Sequence, residues 1–413
     1  MIRISHHTKK IQGVIKLPSS KSISNRMLLL KEMYEPTLKL DNLSTANDSQ
    51  LLQELLTRET FDLNVQDAGT AFRFLVAYCS VTEGNWIIHG TARLHERPIK
   101  ELVDALRLLG AQIQYLEKEN YAPLKITGKK LKAEGNLVDL SFVRSSQFVS
   151  AILMIAPQVE GDFKIRINPE MRSYSYVSLT KNVMRRLGFR IHQKDSLIEV
   201  SKTKKFDGEY FFIEPDWTSF YYWYAIAHLS LECDLFFPGI HQTNMSKERS
   251  FLFHIGNSYL TFEDEKNGLR IKKKAANKET REYKTTYDFS QFPDLAPTFA
   301  FLLPALGCNT TKFKGLESLK FKECNREEAV TQELTKMNTQ LSKQENTWLL
   351  EATSFNLVSD TLFSTYHDHR MAMSAAPLAL LKDIEIEDET VVKKSYPHFW
   401  RDLISVGFVI TKV

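Results

Sequence analysis

Along its apolar and polar positions the chain repeats one phrase: an amphipathic helix, a glycine, then a short strand. It reads LVDALRLLGAQI around Gly110, LTKNVMRRLGFRI around Gly188, SFLFHIGNSYLTF around Gly256 and FWRDLISVGFVI around Gly407. VTQELTKMNTQL carries Asn338 where the others carry glycine, and LLQELLTRETFDL near Arg58 is a degenerate sixth copy. Gly or Asn just past the last turn adopts the left-handed conformation that stops a helix and turns the chain into the next strand. The five clear copies follow one another at spacings of 68 to 82 residues. Solenoid units run to ~20–50 residues, so the spacing predicts a small subdomain of a few strands and two helices, repeated about six times. Helix–glycine–strand junctions are common to all α/β proteins, and the pattern alone leaves that reading open. WIIHG, DFKIRI and EYFFIE are β-rich segments able to pair antiparallel. The predicted class is α/β, built from repeated units.

Length and composition narrow the function. At ~150 residues per domain, 413 residues predict two or three domains. With 54 Lys and Arg against 50 Asp and Glu, the net charge of +4 is too mild for a nucleic-acid coat, and no basic stripe is interleaved with aromatics. Twenty-six Phe, 15 Tyr and 5 Trp supply core material that a disordered chain lacks. Cys79, Cys233, Cys308 and Cys324 form no CxxC pair, so neither a zinc site nor a disulfide framework is expected, and the expected setting is the reducing cytoplasm. The opening MIRISHHTKK has no apolar core of a signal peptide. The apolar run 220–237 is broken by His228, Glu232 and Asp234, and the run 295–308 is short and holds Pro297 and Pro304. Neither reaches the ~20 apolar residues a bilayer requires. A soluble protein is expected, with no membrane or nucleic-acid partner.

Six segments carry charge in places that solvation does not explain. In LPSSKSISNRMLLL, Ser20, Lys21, Ser22, Ser24, Asn25 and Arg26 lead into an apolar helix. Free backbone N–H groups and the dipole make a helix start an anion site, whereas cations there oppose the dipole; serine capping is the simpler reading of the hydroxyls. DAGTAFRFL offers Ala68, Gly69 and Thr70 for close backbone approach, with Arg73 one turn on. Arg97 precedes Pro98 at another helix start. Ser145, Ser146 and Gln147 open an apolar helix, and Ser173 and Tyr176 stand in the same relation to the next, with N-capping an equal reading of both. Asp294 lies among apolar residues, where an ionised carboxylate needs a partner or a function. Lys322, Glu323 and Arg326 share a face if helical, which an exposed ion-pair ladder also explains. His367, Asp368, His369 and Arg370 precede a small apolar helix, a poor metal set without further ligands. Lys393 and Lys394 come before Pro397. Cations and hydroxyls gathered at buried helix starts suit a small, highly anionic ligand.

PSSKSISNR, AGTAFRFL, ERPIKELVDALRLLGA, SSQFVSAILM, FPDLAPT, KECNR and YHDHRMAM, in this order from about Leu17 to Trp400, resemble the enolpyruvyl transferase family of 3-phosphoshikimate 1-carboxyvinyltransferases. The resemblance implies a two-lobed inside-out α/β fold, each lobe three repeated βαβαββ units with helices inside and sheets outside. It implies lobes of residues 18–214 and of 1–17 plus 215–413, with crossings near Leu17–Pro18 and Glu214–Pro215. It also implies transfer of the enolpyruvyl group of phosphoenolpyruvate to the 5-hydroxyl of shikimate 3-phosphate, on the route to chorismate and aromatic amino acids, by a cytoplasmic monomer without metal or organic cofactor.

By the same resemblance Lys21, Ser22, Arg26, Ser145, Ser146, Gln147, Ser173, Tyr176, Asp294 and Lys322 contact shikimate 3-phosphate. Lys21, Gly69, Arg97, Gln147, Arg326, His369, Arg370 and Lys394 contact phosphoenolpyruvate. Lys21, Asp294 and Glu323 carry the chemistry. The chain departs from the family at Ser19 (usually Gly), Asp67 (Asn or Ala), Arg144 (small or apolar) and Asn325 (Asp). The sister transferase acting on UDP-N-acetylglucosamine would carry a KN pair and a reactive loop cysteine, whereas this chain has Lys21–Ser22 and no such cysteine. An inactive phosphometabolite-binding homologue would not be expected to keep Lys21, Asp294, Glu323 and Arg326 together.

Overall fold

The computed structural model describes residues 1–413 apart from 59, 203–205, 242–243, 253–258, 274–283 and 353. The chain forms two compact units: a C-terminal one of Met1–Ser20 with Glu214–Val413, and an N-terminal one of Lys21–Ile213.

Five four-stranded sheets share one topology. In the N-terminal unit Asp62–Asn64 runs parallel to Gly84–His89, which pairs antiparallel with Leu124–Gly128, itself antiparallel to Gln112–Tyr115. The order recurs as Leu137–Asp139, Lys164–Arg166, Leu197–Lys202 and Phe189–Lys194. The C-terminal unit repeats it three times. Its sheets are Lys10–Val14, Glu232–Pro238, Gly268–Lys273 and Leu260–Glu265; Thr286–Asp288, Thr310–Lys314, Thr347–Glu351 and Gln340–Gln344; and Thr361–Phe363, Ile384–Ile386, Ile2–Ser5 and Val409–Lys412. A sixth copy has, among the described residues, only the parallel pair Tyr210–Phe212 and Lys39–Asp41.

This is the repeat that the helix–glycine–strand phrase predicted. Gly110, Gly188 and Gly407 have φ of 85°, 88° and 98°, and Asn338 has 52°; Gly110, Gly188 and Asn338 each stand between a helix and the first strand of a hairpin, and Gly407 between Phe399–Ser405 and the last strand, Val409–Lys412, which pairs with Ile2–Ser5. Near Arg58 the helix Asn47–Thr57 ends and the strand Asp62–Asn64 follows. The copy around Gly256 lies outside the described residues. WIIHG and DFKIRI pair antiparallel on one side, as expected, and parallel on the other; EYFFIE has, among the described residues, a parallel partner alone. A strand that returns to its neighbour through a helical crossover must run parallel to it.

The helices lie inside. Trp217–Leu229 and His369–Ala375 are buried throughout, Ser146–Ile155 at all but Gln147, and Ala296–Ala305 at all but its last residue. A helix apolar on every face has to be enclosed. The strands alternate instead, as in Glu232–Pro238 and Thr310–Lys314, and so cover the helices with one face and meet water with the other. Three ring tips on the enclosed helix Trp217–Leu229 are satisfied internally: Trp217 Nε1 donates to Asn244 Oδ1 (3.0 Å), Trp223 Nε1 to Tyr396 Oη (3.2 Å) and Tyr224 Oη to the Leu252 carbonyl (3.1 Å).

Where the chain passes between units its two segments hydrogen-bond to one another. Ser20 N donates to Glu214 O and Asp216 N to Pro18 O, both at 2.8 Å, beside a bridge between Ser19 and Pro215. Among the described residues no helix is long and apolar enough to cross a membrane.

Candidate active site

In the N-terminal unit the expected cations sit at helix starts. Lys21 opens the helix Lys21–Tyr34, and its ammonium lies 3.0 Å from Asp48 Oδ2, with both side chains largely buried. Asp48 is in the first turn of Asn47–Thr57, where an anion suits the dipole. Arg26 is fully enclosed. Its guanidinium donates to Thr180 Oγ1 (2.6 Å), the Ser22 carbonyl (2.7 Å), Ser150 Oγ (3.3 Å) and the Tyr176 carbonyl (3.3 Å), and burial pulls it down to about 10.

Gly69 opens the helix Gly69–Val81 between two arginines. Arg73 Nη1 donates to the Gly69 carbonyl at 2.8 Å, and a Cβ on Gly69 would stand 2.3 Å from Arg97 Nη1 and 2.6 Å from Arg73 Nη1. Only glycine leaves room there for both guanidinium groups. Gln147, the one unburied position of its helix, donates from Nε2 to Thr70 Oγ1 at 3.2 Å and so ties the SSQ segment to the AGT loop. Ser145 and Ser173 occupy N-cap positions, yet neither side chain makes a capping bond, and Ser173 is left-handed at φ 58°. The capping reading of these two serines fails. Ser146 is buried in the first turn of its helix.

In the C-terminal unit three carboxylates and three cations interlock. Arg326, wholly buried, donates Nε to Asp368 Oδ2 (2.7 Å), Nη1 to Asp294 Oδ1 (2.8 Å) and Nη2 to Glu323 Oε2 (2.6 Å). Lys322 Nζ lies 3.0 Å from Asp294 Oδ1, and Arg370 Nη2 lies 3.0 Å from Asp294 Oδ2 while its Nη1 meets Tyr222 Oη at 3.2 Å. Burial pushes the Asp294 carboxyl up, but Arg370, Lys322 and Arg326 together outweigh it and hold the group well below the usual carboxylate range. Burial lowers the Lys322 ammonium against the opposing pull of Asp294. Glu248, buried near Asp216 and Asp294, is pushed up to about 7, chiefly by burial.

The expectation of one helical face for Lys322, Glu323 and Arg326 is corrected. The helix begins at Arg326, and Lys322 and Glu323 precede it in the turn after Leu319–Phe321, so Arg326 reaches back to them from its first position. An exposed ladder is excluded by the burial of Arg326. His369 is buried, its Nδ1 3.6 Å from Asp368 Oδ1, whereas His367 is exposed. Among the described residues no three His, Cys, Asp or Glu side chains are grouped to hold a metal. Lys394 is nearly buried in the turn Glu389–Lys394, which packs on His369–Ala375. Asn325 occupies the N-cap of Arg326–Thr335 without a capping bond.

The structure adds partners that the sequence did not single out as site residues. Asp48 is an acid in a first helical turn, which the dipole alone accounts for, and Tyr222 is one hydroxyl in an aromatic run. Asp368 and Arg73 stood inside segments already noted.

This repetition of one sheet topology over enclosed helices is the architecture of the enolpyruvyl transferases. The EPSP synthase from Acinetobacter baumannii superposes with a TM-score of 0.76 at 20% identity, over 100% of this chain and 99% of that one. The enolpyruvyl transferase NikO from Streptomyces tendae gives 0.75 at 14% identity, over 99% and 98%. Within that class, residues 30–403 match the family EPSP synthase (3-phosphoshikimate 1-carboxyvinyltransferase), and the chain belongs to it. The 3-phosphoshikimate 1-carboxyvinyltransferase of Bacteroides fragilis is 35% identical over 403 residues, 97% of each chain. That of Vibrio campbellii is 30% identical over 427 residues, 95% of this chain and 96% of the relative.

Proposed function

We propose that this chain transfers the enolpyruvyl group of phosphoenolpyruvate to the 5-hydroxyl of shikimate 3-phosphate and releases phosphate, a step of the shikimate pathway. Membership of the family over residues 30–403 carries this reading. The charge inside each unit supports it. Two substrates, each with a phosphate and a carboxylate, bring roughly −5 to −6 together. Arg26, Ser22, Ser145, Ser146, Gln147, Ser173, Tyr176 and Lys322 hold shikimate 3-phosphate. Lys21, Gly69, Arg97, Gln147, Arg326, His369, Arg370 and Lys394 hold phosphoenolpyruvate. The lobes are 18–214 and 1–17 with 215–413, and each carries residues assigned to the two substrates. The enzyme works as a cytoplasmic monomer, with no metal or organic cofactor in its mechanism.

Asp294 takes the proton of the 5-hydroxyl as the oxygen attacks C2 of phosphoenolpyruvate, and Glu323 delivers a proton to C3. Loss of a C3 proton and of phosphate from C2 then restores the double bond, with Lys21 beside the departing phosphate. The interlocked cations explain how Asp294 serves as a base despite its depressed pKa. Lys322, Arg326 and Arg370 neutralise it only while no anionic substrate competes for them. Substrate phosphate and carboxylate draw them away, and Asp294 gains basicity when the proton must move.

Phosphate release from phosphoenolpyruvate, measured with shikimate 3-phosphate and in parallel with UDP-N-acetylglucosamine, tests this. Turnover with the first acceptor alone is expected; turnover with the second alone contradicts the assignment.

A further inference from the structure

We infer that Glu333 is a positioning residue for the C-terminal half of the site, acting as the second of two grips by which the helix Arg326–Thr335 holds the segment 364–368. The inference rests on the function proposed above. Arg326 and Glu333 are seven positions apart, two helical turns, and so project from one face. Arg326 fastens the far end of the segment through Asp368. Glu333, also buried, fastens the near end: its Oε2 accepts from Ser364 N at 3.0 Å and from Lys336 Nζ at 2.7 Å, and its Oε1 accepts from Tyr366 Oη at 2.7 Å.

Between the two grips the backbone passes through Tyr366 at φ 51° and His367 at φ 56°. Two consecutive left-handed residues that are not glycine persist only where their surroundings over-determine them. The next three residues are Asp368, His369 and Arg370. Asp368 caps the following helix by accepting from Arg370 N at 2.9 Å, and Arg370 reaches Asp294. The direction in which Arg370 enters the site therefore depends on a strained turn, which Glu333 holds from the helix side while Glu387 Oε2 accepts from Thr365 N at 2.9 Å on the other. Released, the turn relaxes toward right-handed backbone and re-aims Asp368 and Arg370 together, while the N-terminal unit is untouched.

The test uses the full chain with Glu333→Gln, Glu333→Asp and Tyr366→Phe. Glu333→Gln is expected to raise KM for phosphoenolpyruvate at least tenfold, with Kd for shikimate 3-phosphate alone changed less than threefold. Glu333→Asp should recover part of the loss, and Tyr366→Phe, which deletes one hydroxyl, should raise the same KM about threefold. A residue that only stabilised the fold would reduce the active fraction and leave KM alone. The inference is overturned if folded Glu333→Gln keeps the wild-type KM for phosphoenolpyruvate, or, should that variant not fold, if Tyr366→Phe does. Absence of turnover in the wild-type protein would instead count against the proposed function.

Discussion

Replacing Gly69 by alanine tests the close approach of Arg97 and Arg73 to the start of the helix Gly69–Val81. The added Cβ would lie 2.3 Å from Arg97 Nη1 and 2.6 Å from Arg97 Cζ and from Arg73 Nη1. Ordinary contact needs about 3.4 Å or more, so the Arg97 guanidinium must retreat by about 1 Å. The atoms that give way are the ends of two long side chains, and alanine is a better helix former than glycine by up to ~1 kcal/mol, so the fold should not suffer. A guanidinium displaced by about 1 Å loses a charge-assisted hydrogen bond to an anion, worth ~1.5–3 kcal/mol. Since each 1.4 kcal/mol is tenfold, KM for phosphoenolpyruvate should rise about 10- to 150-fold. Steady-state kinetics with each substrate varied, beside thermal melting, decide the matter. A melting point at or above wild type with the raised KM is expected. An unchanged KM would show that Arg97 does not bind phosphoenolpyruvate from this position.

Arg326→Met should cost ~3–5 kcal/mol in chemical denaturation, because it removes the cation that Asp294, Glu323 and Asp368 share in a buried cluster; a loss under 1 kcal/mol would contradict the cluster. Asp294→Asn should cut turnover by ~10²–10⁴ and leave shikimate 3-phosphate bound, and near-normal kcat would remove the proposed base. Glu248 is held protonated to about pH 7 in the fold, against ~4.3 in the unfolded chain. Its contribution is therefore full below about 4.3 and is lost as pH rises to about 7. Relative to Glu248→Gln, the wild type should lose on the order of 3 kcal/mol between pH 4 and 8, and parallel stability curves would refute this.

The repeat was legible because four of its copies end their helix with a left-handed residue, which fixes where the next strand begins. Gly110, Gly188, Asn338 and Gly407 all behave as their spacing predicts. Strand direction was not legible, since WIIHG alternates identically whether its neighbour runs up or down; the crossover helix decides. Cations at helix starts, Lys21 and Arg97 among them, stood out because they oppose the dipole. Their counter-ions did not, because an acid at a helix start, such as Asp48, looks like ordinary capping. The Arg326 cluster joins residues 294, 323 and 368 from three separate segments, and no local pattern records such a meeting. Glu333 was hidden for the same reason: its partners are Ser364 and Tyr366, some thirty residues away.

The proposed transfer requires one pair of anionic substrates to be held by cations from both halves of the chain. A crystal structure with shikimate 3-phosphate and a non-reacting phosphoenolpyruvate analogue measures this directly. Lys21 and Arg97 from one unit and Arg326 and Arg370 from the other should all lie within hydrogen-bond distance of the analogue, with Asp294 facing the 5-hydroxyl. An analogue bound by the residues of one unit alone, with the other set still locked on its own carboxylates, would contradict the account.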